Sequence, residues 1–351
     1  MRRKPTLWVL CVLLSLLSCR EADRYVALGG YAQGGTYTVK LNLRGVRERP
    51  QALQTAVDSL LEEIDFTLSG YNKASLLSRL NAGDTIRPNA MLCEVYRRSY
   101  EFYRRSGGAF DAACGPLFDI WGFGFTTDSL PSPDRIAGAA ARSGMGRLRP
   151  TMEEALSPQG TLCACDLLLD AGGESPVLNF NAIAQGFSCD VVASWLHALG
   201  VRDMLVDIGE IYCEGRNPSG RPWTIGIDRP VDGNNTPGAD MQGVWHSSGG
   251  AGQGVVTSGN YRKFYVRDGR KYSHTIDPRT GAPVTHSLLS ATVIAPDATS
   301  ADAVATWCMV LGFEGASALL GDLGLEGCLI HEEEGEMQVW TTPGFGLSTW
   351  N

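Results

Sequence analysis

Leu288-Leu289-Ser290-Ala291-Thr292-Val293-Ile294-Ala295 is joined through residues 296–299 to Ser300-Ala301-Asp302-Ala303-Val304-Ala305-Thr306-Trp307-Cys308-Met309-Val310-Leu311. The first run is apolar and rich in β-branched residues, which predicts a strand over 288–295. The second predicts a helix from about 300 to 311, capped by Ser300 and with Asp302 in its first turn. Working outward, Leu53, Val57, Leu60, Leu61 and Ile64 recur at helical spacing, so 51–64 reads as a helix. Further helices are expected over 91–105 and 182–199, the latter with Ile183, Phe187, Val191, Trp195 and Leu199 on one side. Strands are expected at 204–208, 223–228, 254–257 and 261–267, bounded by Gly and Pro. Helices and strands mix without strict alternation, which favours an α+β fold over a doubly wound sheet. There is no Gly-x-Gly-x-x-Gly after a strand, no Walker-type loop and no Gly-x-Ser-x-Gly elbow.

The chain has 351 residues, 44% hydrophobic, with a formal charge of -8. That is enough to bury a full core. Removing the first eighteen residues leaves 27 basic and 38 acidic side chains, a body too acidic to suit a nucleic-acid partner. An anionic ligand would need local groups: backbone N–H, a metal, or one or two placed cations. Glycine is frequent, at 42 residues, and spread throughout.

The N-terminus reads as a targeting signal. Arg2-Arg3-Lys4 precedes the apolar run Leu7 to Leu17, which is too short for a permanent membrane helix. Its Leu16-Leu17-Ser18-Cys19 ending resembles the bacterial lipobox, which implies cleavage before Cys19 and its lipidation. The expected organisation is a signal peptide over 1–18, a lipidated tether over 19–24 and one domain over 25–351. The protein would then sit in the bacterial cell envelope, lipid-anchored to the inner or outer membrane and facing the periplasm. No other stretch looks long enough to cross a membrane. Of ten cysteines, eight remain after Cys11 and Cys19. They show no paired CxxC spacing, which argues against zinc, and several lie in apolar runs where Cys acts as a small hydrophobe.

Several stretches could carry chemistry. Asp302 and Thr306, four apart in the 300–311 helix, share one face near its start. A carboxylate and a hydroxyl are hard ligands suited to magnesium, and a helix start offers N–H groups to phosphate. The alternative is that Asp302 only complements the helix dipole and Thr306 only packs. His274, at a strand end before Ile276-Asp277-Pro278-Arg279-Thr280-Gly281, could be a general base or a hydrogen-bonded structural residue. Val256-Thr257-Ser258-Gly259-Asn260-Tyr261 suits close approach to a ligand, or any turn. Tyr71, in Ser69-Gly70-Tyr71, could stack on a flat ring or fill the core.

Taken together and in order, these stretches resemble the ApbE family of FAD:protein FMN transferases. Gln33-Gly34-Gly35-Thr36-Tyr37 matches the family's opening, and Ser69-Gly70-Tyr71, Ser75 and Leu80-Asn81 match its next stretch. The block from Phe110-Asp111 through Gly115-Pro116-Leu117 to Trp121-Gly122-Phe123 follows. Asn179 to Asp190 matches the start of a family helix. Thr257 to Tyr261, His274 to Pro283 and Ala301 to Thr306 complete the series. The resemblance covers about 25–349. It implies a single T-fold-related α+β domain with mixed or antiparallel sheets flanked by helices. It also implies magnesium held by Asp302, Thr306 and the Ala182 carbonyl, with His274 as base for the incoming hydroxyl. Gln33, Tyr71, Ala109, Phe110, Asp111, Asn179, Gln185, Thr257 and Ile276 would shape the FAD cleft. The implied reaction is transfer of FMN from FAD to a Thr or Ser hydroxyl of an electron-transfer protein, releasing AMP.

Three departures stand out. Asn179 replaces the family's Asp, Gln185 replaces its Lys, and its Gly-Gly after strand 204–208 is reduced to Gly209-Glu210. A magnesium-dependent FAD pyrophosphatase and a non-enzymatic FAD-binding lipoprotein are the rival readings.

Overall fold

The computed structural model describes residues 22–84, 86–123, 130–148, 177–234, 236–267 and 269–350. Cys19, the signal segment, residues 19–21 of the tether, Cys163 and Cys165 lie outside the described residues. The chain opens with a hairpin, β1 (Tyr25–Ala32) and β2 (Gly35–Asn42). Its two-residue loop places both Gln33 (φ 51) and Gly34 (φ 81) in the left-handed region. That conformation matches the twist of the flanking strands.

Helices α1 (Pro50–Leu68), α2 (Leu76–Asn81), α3 (Ala90–Arg105), α4 (Gly115–Ile120) and α5 (Pro133–Arg142) follow. After α6 (Ala184–Ala198) come β3 (Met204–Asp207), β4 (Ile211–Glu214), β5 (Thr224–Asp228), β6 (Met241–His246) and β7 (Gln253–Gly259). Then come β8 (Phe264–Arg267), β9 (Arg270–Ser273), β10 (Ile276–Asp277), β11 (Ala282–Pro283) and β12 (Leu288–Ala295). Helix α7 (Ala298–Leu323) and the hairpin β13 (Glu326–Glu333) and β14 (Glu336–Thr341) close the chain.

The architecture is α+β, as expected. An eight-stranded sheet runs in the order β1-β2-β3-β4-β7-β12-β13-β14, with each neighbouring pair antiparallel. Strand alternation sends Val39, Val206, Val256, Val293 and Leu329 to one face, where they pack with α1, α6 and α7 in the main core. Leu205, Cys213, Val255, Ile294 and Ile330 point the other way. There they meet Trp223, Ile225, Ile227 and Trp245 of the β5–β6 hairpin, which covers the second face.

Helix α7 departs from the sequence reading in three ways. Its cap is Asp297, not Ser300: the Asp297 side chain accepts the Ser300 N–H at 2.7 Å. Asp302 therefore lies beyond the first turn. The helix also continues past Leu311 to Leu323 across a kink at Gly312 (φ 78). His286 supports the kink by donating Nε2–H to the Met309 carbonyl at 2.9 Å. A carbonyl left without its usual helical partner needs such a donor. By length and composition this 26-residue helix could cross a membrane, contrary to the sequence reading, but most of its apolar window is buried in the core.

Candidate active site

The start of α7 is set between α6 and the sheet by two glycines. A Cβ on Gly254 would lie 2.5 Å from the Asp297 carbonyl carbon, and one on Gly186 would lie 2.7 Å from the Ala298 carbonyl carbon and 2.8 Å from Asp302 Cβ. Both distances are impossible for real Cβ atoms, so glycine is required for this approach. The closeness lets the Gly186 N–H donate to Asp302 Oδ2 at 3.0 Å. Helix α6 begins at Ala184 rather than 182, so Gly186 lies in its first turn, where the N–H has no intrahelical acceptor and is free for this bond. Among the described residues the Ala182 carbonyl receives no hydrogen bond.

Asp190, one turn further along α6, accepts the Ala298 N–H at 2.9 Å, the Thr299 N–H at 2.8 Å and the Thr299 hydroxyl. With the Ser300 and Ala301 N–H groups taken by Asp297, the first turn of α7 is fully capped. The expectation that this helix start offers free N–H groups to phosphate is therefore corrected. Arg98 closes the arrangement from outside, on Asp297 at 2.9 Å and the Ser300 hydroxyl at 2.7 Å.

Asp302 is 5% exposed and has no cationic partner among the described residues. Burial pushes its carboxyl up to about 7, against the pull of the Gly186 N–H, and the Asp190 charge adds to the rise. Glu210, in the β3–β4 turn, is raised well above the carboxylate range by burial and by the Asp302 charge, against the Thr257 N–H. Thr306 lies one turn along α7 from Asp302, and among the described residues its hydroxyl has no hydrogen-bond partner. No three His, Cys, Asp or Glu side chains gather as a metal cage among the described residues. The donor set is instead one buried carboxylate, an unpaired hydroxyl and an unpaired carbonyl. These are hard oxygen donors that suit magnesium, which keeps several waters and takes few protein ligands.

Beside this centre lies a cavity of about 570 Å³. It is lined by Tyr31, Gln33 and Gly34 of the first hairpin, Asp65, Leu68 and Ser69 to Tyr71 around the end of α1, Asn181, Ala184 and Gln185 at the start of α6, and Lys263. A smaller cavity adjoins it, sharing Gly70, Tyr71 and Asn181 and adding Asn179 and Phe123. The structure thus brings Gln33, Tyr71, Asn179 and Gln185 to one cleft. Tyr71 is 66% exposed, presenting its ring at the junction of the two cavities. Gln33 is held over α6 by a hydrogen bond to the Ser188 hydroxyl, which fixes a residue in an uncommon backbone region.

The departures at 179 and 185 keep local structure. Asn179 Oδ1 accepts the Asn181 N–H at 2.9 Å, a turn that Asp would make equally. Gln185 Nε2 donates to the Ile208 carbonyl at 3.1 Å and lies 2.5 Å from where a Gly209 Cβ would stand. Gly209 (φ 95) is needed there on both counts.

His274 follows β9. Its backbone N–H and its Nδ1 meet the Lys263 carbonyl at 3.2 Å and 3.0 Å. A carbonyl only accepts, so Nδ1 carries the proton and Nε2 keeps a free lone pair. Burial, opposed by the Lys263 carbonyl and helped by the nearby Lys263 charge, lowers the imidazole pKa to about 4. The ring abuts Phe123, whose ring stacks on Tyr265.

The remaining residues expected in the cleft do not line these two cavities. Ala109 and Phe110 are buried in the main core, and Asp111 accepts the Ala113 and Met145 N–H groups at 2.7 Å and 3.1 Å. Thr257 pairs its hydroxyl with Thr292 at 2.8 Å, and Ile276 packs with Leu117 and Trp121. Sequence reasoning missed Lys263, Glu210, Asp65 and Tyr31. Only the proximity of Lys263 to the Thr257–Tyr261 stretch offered any signal.

The ApbE family profile matches residues 33–329. The chain belongs to the ApbE family. A FAD:protein FMN transferase of Vibrio cholerae is 33% identical over 317 residues, covering 88% of each chain. Among solved structures, the flavinyl transferase ApbE of Pseudomonas stutzeri superposes with a TM-score of 0.75 at 33% identity, covering 92% of this chain and 96% of that one. The flavin transferase ApbE of Vibrio cholerae gives 0.74 at 28% identity, covering 92% and 99%. The cleft between α1, α6 and the first hairpin, with the buried Asp302 beside it, is thus this family member's candidate active site.

Proposed function

We propose that this ApbE-family chain is a FAD:protein FMN transferase, moving FMN from FAD to a Thr or Ser hydroxyl of a partner electron-transfer protein. The observation that carries the reading is the oxygen-donor centre at Asp302 beside a cleft with an exposed aromatic ring. FAD lies in the cleft, with Tyr71 against a flat ring and Gln33 and Asn179 contacting its polar groups. The partner's hydroxyl oxygen attacks the FMN-side phosphorus, the bond to the bridging oxygen breaks, and AMP leaves. His274 Nε2 takes the hydroxyl proton, its tautomer already set by the Lys263 carbonyl. A magnesium ion held by Asp302, Thr306 and the Ala182 carbonyl would neutralise charge on the pyrophosphate. Gly186 keeps the Asp302 carboxylate oriented, and Asp190 holds the helix that carries it.

Lipidation at Cys19 would tether the domain to a bacterial envelope membrane, facing the periplasm, where covalent attachment keeps flavin on an exported redox partner. Incubation of the purified protein with FAD and magnesium, with and without a threonine-bearing acceptor peptide, tests the activity. FMN on the peptide supports the transferase. Free FMN irrespective of peptide makes it a pyrophosphatase, and unchanged bound FAD makes it a binding protein.

A further inference from the structure

Among the described residues, the main cavity lining carries two charged side chains, Asp65 and Lys263. Asp65 is engaged: its carboxylate accepts Asn72 Nδ2 at 2.7 Å. Lys263 is exposed and makes no ion pair among the described residues. Its neighbour Arg262 is committed elsewhere, to Asp228 at 2.5 Å and over the Tyr261 ring at 5.1 Å. Among the described residues, two further places from which positive potential could come do not supply it. Position 185 holds a neutral amide spent on the Ile208 carbonyl, and the first turn of α7 is capped by Asp190 and Asp297. The backbone of Lys263 is pinned by two hydrogen bonds from His274, so its ammonium is delivered from a fixed point on the cavity wall.

We propose that Lys263 is the diphosphate-binding cation of this cleft, taking over the charge that Gln185 does not supply. The inference rests on the flavin-dinucleotide reading above. An ammonium is a compact point charge suited to a phosphate oxygen, and a charge-assisted contact of this kind is among the stronger polar interactions. His274 acquires a second duty, since its hold on the Lys263 carbonyl registers the proton acceptor against the group that grips the substrate.

The test is flavin binding by fluorescence quenching on the full mature chain, without magnesium, for wild type, Lys263→Met and Lys263→Arg. FAD carries the diphosphate; riboflavin carries no phosphate and is the control ligand. Lys263→Met should weaken FAD by about ten-fold or more, with riboflavin unchanged and Lys263→Arg close to wild type. The FAD deficit should shrink as salt rises, as a charge contact requires. Unchanged FAD affinity in Lys263→Met overturns the assignment. So does an equal loss for FAD and riboflavin, which would make Lys263 a structural residue of the wall. Wild-type protein that binds neither flavin overturns the flavin reading itself, and the assignment with it.

Discussion

Replacing Asp302 by Asn should stabilise the metal-free protein while abolishing its response to magnesium. Asn keeps an oxygen for the Gly186 N–H and removes the buried charge. The Asp302 carboxyl rises from an ordinary 3.8 to about 7 on folding, because burial penalises its charged form. A folded pKa above the unfolded one means that ionisation opposes folding. The penalty is absent below about pH 4, grows as pH rises, and reaches its plateau above about pH 7. At about 1.36 kcal/mol per unit the ceiling is about 4 kcal/mol. Relaxation around the charge reduces this, so a gain of about 2 kcal/mol at pH 8 is expected, roughly 3 °C in melting temperature for a chain of this length. Thermal melts at pH 4 and pH 8, with EDTA or magnesium, make the assay. The variant should match wild type at pH 4, exceed it at pH 8 in EDTA, and gain nothing from magnesium. A variant less stable than wild type at pH 8 in EDTA would show that Asp302 bears no such charge penalty, and one stabilised by magnesium to the same degree would show that Asp302 does not hold the metal.

His274→Ala should lower FMN transfer by about two to four orders of magnitude with FAD affinity changed far less, as steady-state rates and binding titrations on the same variant will show. Because the imidazole titrates near 4, the wild-type rate at saturating magnesium, which keeps Asp302 ionised, should hold from neutral pH down to about pH 5 and fall only below that, as Nε2 gains a proton; a fall centred near pH 6.5 under those conditions would assign the limb to another group. Gly186→Ala should wedge α6 from α7, costing about 1–3 kcal/mol in denaturant unfolding and weakening magnesium binding in calorimetry. Cys19→Ala should release the protein from salt-washed membranes; retention would show that the anchor is elsewhere.

Much of the frame was legible because local pattern and tertiary need agree. The strand over 288–295 is found at those residues, and the helices at 50–68 and 90–105 lie within a few residues of expectation. Failures arose where tertiary contacts decide. Asp297 and Ser300 are both good caps, and only the seat of α7 on Gly254 and Asp190 chooses between them. The helix seemed to stop at Leu311 because Gly312 breaks the pattern, whereas His286, from a distant loop, allows it to continue. The first hairpin went unread because Gly29, Gly30 and an exposed Tyr31 blur its alternation, although it supplies Gln33 to the cleft. At the site, Asp302, Thr306 and His274 stood out by motif. The capping role of Asp190 and the exposure of Lys263 depend on residues brought together from separate parts of the chain.

The central claim is that one cleft, with the buried Asp302 beside it, transfers FMN covalently to a protein hydroxyl. Intact-mass spectrometry of a threonine-bearing acceptor, after incubation with FAD, magnesium and either wild type or Asp302→Ala, measures this directly. Wild type should add the mass of one FMN less water to the acceptor, at the hydroxyl and with AMP released in equal amount, and Asp302→Ala should add none. An acceptor of unchanged mass beside wild-type enzyme that has converted FAD to free FMN would contradict the account.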